Sequence, residues 1–209
     1  MKIRALQILV SLAVASGALD AQQMRAAAAL EKFAFVFGGV GYLHRWSKNH
    51  QHEFTPQGQE DLEKWSDMVT MNVYPDAHGG DALATKANAV LENYKSHKGM
   101  VLKTNSIPRT PDRPAEHFVA VVFGRPNFIE VAFARFKLVD GLGCSIVYSH
   151  RIYGEKIGDQ MSAWLKNNGP EKEKALMEWN HTPSPASFDR ELPRKGAIPS
   201  DAKASPSKQ

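Results

Sequence analysis

An α+β fold, an antiparallel sheet packed by amphipathic helices, follows from three observations. Asp140-Gly141 separates two long apolar runs, one helical stripe falls between strand patterns, and the other helical patterns gather towards the C-terminus. The order strand, helix, strands, helices excludes a regular βαβ alternation. It leaves helices on one face of the sheet or, as an α/β/α sandwich, on both.

Residues 68–74 alternate, with Val69, Met71 and Val73 on one side, and Pro75 stops them, which predicts a half-buried strand. Leu83, Ala87, Val90, Leu91 and Tyr94 then form one stripe on a helix. Asp81 is its expected N-cap, and Gly99 closes it behind Lys95, His97 and Lys98. Met100–Ile107 reads as a strand, and residues 108–114 as a stiff loop with three prolines. Residues 117–124, Phe128–Val139 and Leu142–Tyr153 read as three further strands.

Asp-Gly suits a type I′ turn, in which both central residues take positive φ. Pairing Val139 with Leu142 sets Glu130 opposite Arg151, Phe133 opposite Tyr148 and Ile129 opposite Ile152. One face then carries Ile129, Val131, Phe133, Ile146, Tyr148 and Ile152, and needs a helix. The other carries Ala132, Ala134, Ser145, Val147 and Ser149, small enough for a second helix or a ligand to approach. Gly158 and Asp159 open a helix that Gly169 ends, and Pro170 starts another that buries Leu176 and Trp179.

The chain has 209 residues, 43% hydrophobic and 23% charged. That length supports one core, and the lack of any Gly or Pro period excludes collagen-like sequence. Cys144 is the sole cysteine, so an intrachain disulfide and a cysteine zinc cluster are both excluded. A net charge of +4 without a dense basic run gives no nucleic-acid footprint.

Lys2 and Arg4 precede an uncharged stretch at residues 5–15, followed by small residues ending at Ala18 or Ala21. This is the pattern of an export signal, too short to span a bilayer. The expected organisation is a signal peptide at 1–21, a linker or N-terminal helix at 22–41 around Gly38-Gly39-Val40-Gly41, one domain at 42–180, and a disordered Pro/Ser/Lys-rich tail at 181–209. The implied location is periplasmic or secreted, with membrane contact only through the uncleaved signal.

Glu53-Phe54-Thr55-Pro56 followed by Trp65-Ser66-Asp67-Met68-Val69-Thr70 resembles a signature of a group of exported proteobacterial proteins. More distantly, the element order is similar to the PsbP-like fold, shared by an extrinsic photosystem II subunit and a nuclear transport factor. Either resemblance implies a binding or accessory protein, and supplies no catalytic residues to carry over.

His44, His50 and His52 are the candidate metal ligands, for zinc or copper, because residues 50 and 52 of a strand share a side. Asp76 and His78 lie ahead of a helix N-terminus, where anions bind. Arg109, Arg113, Arg125, Arg135 and Lys137, with an exposed Trp46, form a candidate basic rim. No G-x-S-x-G elbow is present, and Ser149 and His150 point to opposite faces, so no nucleophile and base pair up. The function expected is non-catalytic binding of a protein or small ligand, without a cofactor. The alternative is a metal-binding protein or metal-dependent enzyme built on the three histidines.

Overall fold

The structure, a computed structural model, describes residues 34–188. The expected signal at 1–21, most of 22–41 and residues 189–209 lie outside the described residues.

The described chain is α+β. Strands β1 (Phe35–Phe37), β2 (Val40–Lys48), β3 (Gln51–Pro56) and β4 (Asp67–Tyr74) precede helix α1 (Gly80–Ser96). Strands β5 (Met100–Ile107), β6 (Glu116–Gly124), β7 (Phe128–Val139) and β8 (Leu142–Tyr153) then lead to helix α2 (Ile157–Glu178). They make one antiparallel sheet in the order β1-β2-β3-β4-β8-β7-β6-β5. Among the described residues no helix is long and apolar enough to cross a membrane.

Three of the hairpins close through two residues of positive φ: Gly38-Gly39 at +55° and +77°, Asn49-His50 at +50° and +65°, and Asp140-Gly141 at +51° and +81°. That geometry matches the right-handed twist of the paired strands. The glycine cluster placed in a linker is therefore a turn, and β1 begins ahead of residue 42. The β7–β8 register is the expected one, with Glu130 opposite Arg151, Phe133 opposite Tyr148 and Ile129 opposite Ile152.

Alternation along β7 and β8 gives the sheet two different faces. On one, α1 lays Leu83 and Ala87 on Val119, Val121, Ala132, Ala134 and Val147, the small side chains letting the helix approach closely. On the other, α2 packs Met161 and Leu176 with Val131, Phe133, Ile146 and Tyr148.

Helix α1 starts on Gly79 in extended conformation with no side-chain cap, so Asp81 contributes charge to the first turn and is not the N-cap. At the other end Lys98 takes the left-handed conformation. Gly99 is required for room: a Cβ there would lie 2.6 Å from Val121 Cγ2 and 2.8 Å from the Tyr94 carbonyl oxygen.

The expected break at Gly169-Pro170 is absent, and α2 runs unbroken through both residues. Met161, Gly169 and Leu176 are spaced by eight and seven residues and stay buried along one stripe, so continuous packing on the sheet outweighs the hydrogen bond lost at Pro170.

Phe37 and Tyr148 have ring centroids 5.6 Å apart although β1 and β8 are four strand positions apart, about 19 Å in a flat sheet. The sheet therefore curls, bringing Phe35 and Phe37 onto Trp179 at the end of α2. Beyond residue 180, a 3₁₀ turn (Pro185–Phe188) buries Phe188 against His44, His52 and Phe54, so the folded chain continues past the expected boundary.

Candidate functional site

Of the three histidines, the fold brings two together. His50 sits in the β2–β3 turn and is exposed, so it does not share a strand side with His52 as expected. The His44 and His52 rings lie 5.8 Å apart. Ser47 Oγ is 3.1 Å from His44 Nε2 and 3.0 Å from His52 Nδ1, so one hydroxyl serves both rings. A bulge between His44 and Trp46 brings Ser47 round to the histidine face, which simple alternation would deny it. Burial, then the neighbouring His52, pushes His44 down to about 4. Among the described residues no group of three or more His, Cys, Asp or Glu side chains is placed to hold a metal ion. Lys48 and Pro185 are among the residues lining a cleft of about 460 Å³ beside this pair.

Several of the other singled-out residues have structural partners. Asp76 pairs with Lys86 Nζ at 2.6 Å, and His78 is exposed. Glu130 Oε2 accepts from Arg151 Nε at 2.8 Å, and the guanidinium lies over the rings of Trp65 and Phe128 at 3.9 and 4.2 Å. Cys144 is fully buried, and burial pushes its thiol up to about 11. Arg135 is no part of a rim: it is 3% exposed, donates to Glu116 Oε2 at 2.7 Å, and donates to the carbonyls of Leu176 and Trp179 at the end of α2. Trp46 is half-buried rather than exposed.

The small-residue face is covered only in part. Helix α1 seats on Ala132, Ala134 and Val147, and a groove of about 490 Å³ remains between it and the β2–β3 turn. Thr70, Asn72, Phe123, Ser145 and Ser149 line it from the sheet, and Tyr94 from α1. Asn72 Nδ2 donates to Ser145 Oγ at 3.0 Å, and the Tyr74 hydroxyl lies 3.0 Å from the same oxygen. Among the described residues nothing hydrogen-bonds the side chains of Ser149, Thr70 or Tyr94, although Ser149 is 6% exposed. These three hydroxyls are open to a groove with a largely uncharged lining.

A cluster that the sequence did not reveal lies on the opposite face. Asp67 Oδ1 accepts the Tyr148 hydroxyl at 2.6 Å and lies 3.0 Å from His150 Nδ1. His150 stacks on Trp164 at 4.2 Å and 8°. Burial opposes ionisation of Asp67, but the hydrogen bonds from His150 and Tyr148 outweigh it, and the carboxyl stays below its usual range. Asp67 meets His150 because β4 pairs with β8, a contact between strands far apart in sequence. No local pattern marks such a pairing, so no signal in the sequence could have found it.

No family model matches the chain, and a search of curated proteins finds no match either. Among solved structures, the Saccharomyces cerevisiae Ran-binding protein Mog1p is similar at 11% identity, over 69% of this chain and 87% of that one, with a TM-score of 0.40. Human STARD10 is similar at 13% identity, over 76% of this chain and 80% of that one, with a TM-score of 0.26. Likenesses this distant assign no function.

Proposed function

We propose that this chain is an exported protein, freed of residues 1–21, that binds a small uncharged polar ligand in the groove beside α1 and catalyses no reaction. The observation that carries the reading is a trio of hydroxyls, on Ser149, Thr70 and Tyr94, around one groove, none of which bonds another described residue. These hydroxyls open onto the groove, where a ligand's polar groups can take the place of the water that otherwise meets them. The arrangement supplies hydrogen bonds and an aromatic wall but no activated nucleophile. The leader-like N-terminus supports the exported location.

Two measurements test this. The intact mass of protein recovered from the periplasm should correspond to loss of the first 18 or 21 residues, and a full-length mass would remove the export reading. A thermal-shift screen of uncharged polyols, saccharides and amides should give ligands that raise the melting temperature of the wild type. The same compounds should lose most of that shift in the Thr70→Val/Ser149→Ala double variant. Shifts that persist in the variant, or turnover of any bound compound, would overturn the reading.

A further inference from the structure

Between α2 and the β1–β2 hairpin, on the face opposite the groove, lies a separate pocket of about 240 Å³, about eight water volumes. Tyr42, Asp67, Tyr148, His150, Trp164 and Lys172 are among its lining residues. The Tyr42 side chain is almost wholly enclosed, its residue only 2% exposed, yet its hydroxyl has no hydrogen-bond partner among the described residues. Asp67 spends Oδ1 on Tyr148 and His150, and no described residue bonds Oδ2. Lys172 forms no direct ion pair among the described residues: its ammonium lies 5.8 Å from the centre of the Tyr148 ring, and its charge reaches Asp67 only across the pocket. One small cavity thus presents a carboxylate oxygen, an ammonium and a hydroxyl that no described residue bonds directly. Phe37, Val40 and Trp164 add apolar surface.

We infer that this pocket binds a small zwitterion, an α-amino acid with a short aliphatic side chain. The ligand ammonium meets Asp67 Oδ2, its carboxylate meets Lys172 and the Tyr42 hydroxyl, and its side chain lies against Trp164 and Val40. A zwitterion matches both ends, because Asp67 and Lys172 act on each other only across the pocket, and the ligand's ammonium and carboxylate give each of them a partner at hydrogen-bond distance. The cavity size limits the ligand to a single residue.

Titration calorimetry with L-valine, N-acetyl-L-valine and L-valinamide on the full exported chain tests this. L-Valine should bind, and each blocked form should bind about 10-fold more weakly or less. Lys172→Met should lose about 10-fold for L-valine while leaving L-valinamide unchanged, and Tyr42→Phe should weaken L-valine without lowering the melting temperature. The groove variant Thr70→Val/Ser149→Ala should bind L-valine as the wild type does, so this site and the groove stand or fall separately. No binding of L-valine at about 10 mM would overturn the inference, as would equal binding of the blocked forms or wild-type affinity in Lys172→Met.

Discussion

Arg135 stands on a strand among aromatic residues, and its environment inverts what its chemistry suggests. A lone basic residue reads as a solvated rim, but here the guanidinium is buried, paired with Glu116, and bonded to two carbonyls at the end of α2. Replacing Arg135 by Met strands the Glu116 carboxylate and uncaps the helix, so chemical denaturation should show a loss of about 3–5 kcal/mol. His44 carries a pH signature. Its folded form holds off protonation to about 4, whereas the unfolded ring protonates near 6.5, so the unfolded state binds more protons between those values. Stability is present above pH 6.5 and falls as the pH drops towards 4; urea midpoints should show this slope, shallower in His44→Phe. Asp67 acts lower: its folded carboxyl is held below 3.8, so its contribution is present above that value and lost as pH falls through the folded one. Glu130 and Arg151 were legible from register alone, whereas the partners of Arg135 and Asp67 required contacts between distant segments.

The hairpin and helix boundaries divide in the same way. The β7–β8 hairpin was readable because Asp-Gly states its own turn geometry and alternation then fixes every pair. Asn49-His50 makes a turn of the same positive-φ kind without a residue pair that announces it. The reverse error occurs in α2, where Gly169-Pro170 is a locally sound place to end a helix, and packing of Met161 and Leu176 along one stripe carries the helix through. Pro170→Ala restores a backbone hydrogen bond and removes crowding with the preceding turn, so it should raise unfolding stability by about 1–3 kcal/mol. Gly99→Ala should lower it by about 1–3 kcal/mol, because the added methyl meets Val121 and Phe123 at under 3 Å. Equilibrium denaturation of both variants checks the pair.

Across the whole molecule, the curled sheet and the C-terminal 3₁₀ turn close over the His44–His52 pair. Phe188→Ala opens that closure, and denaturation should show a cost of about 3 kcal/mol from lost aromatic packing. Protein purified without an affinity tag should carry less than about a tenth of an equivalent of zinc or copper, measured by elemental analysis, because two imidazoles sharing a serine leave the ligand set incomplete. The sequence by itself determined the α+β class, the strands β4 to β8 to within a residue, the helix α1, the β7–β8 register and the two unlike faces that it creates. Those features follow from alternation, helical spacing and turn chemistry, which act over a few neighbouring residues. Only the tertiary structure decided that β4 lies against β8, that α2 is one helix, that the chain stays folded from 34 to 188, and that Asp67, His150 and Lys172 face one pocket. Each of these depends on which surfaces meet across dozens of residues, and a contact of that kind leaves no periodic mark on the sequence of either partner.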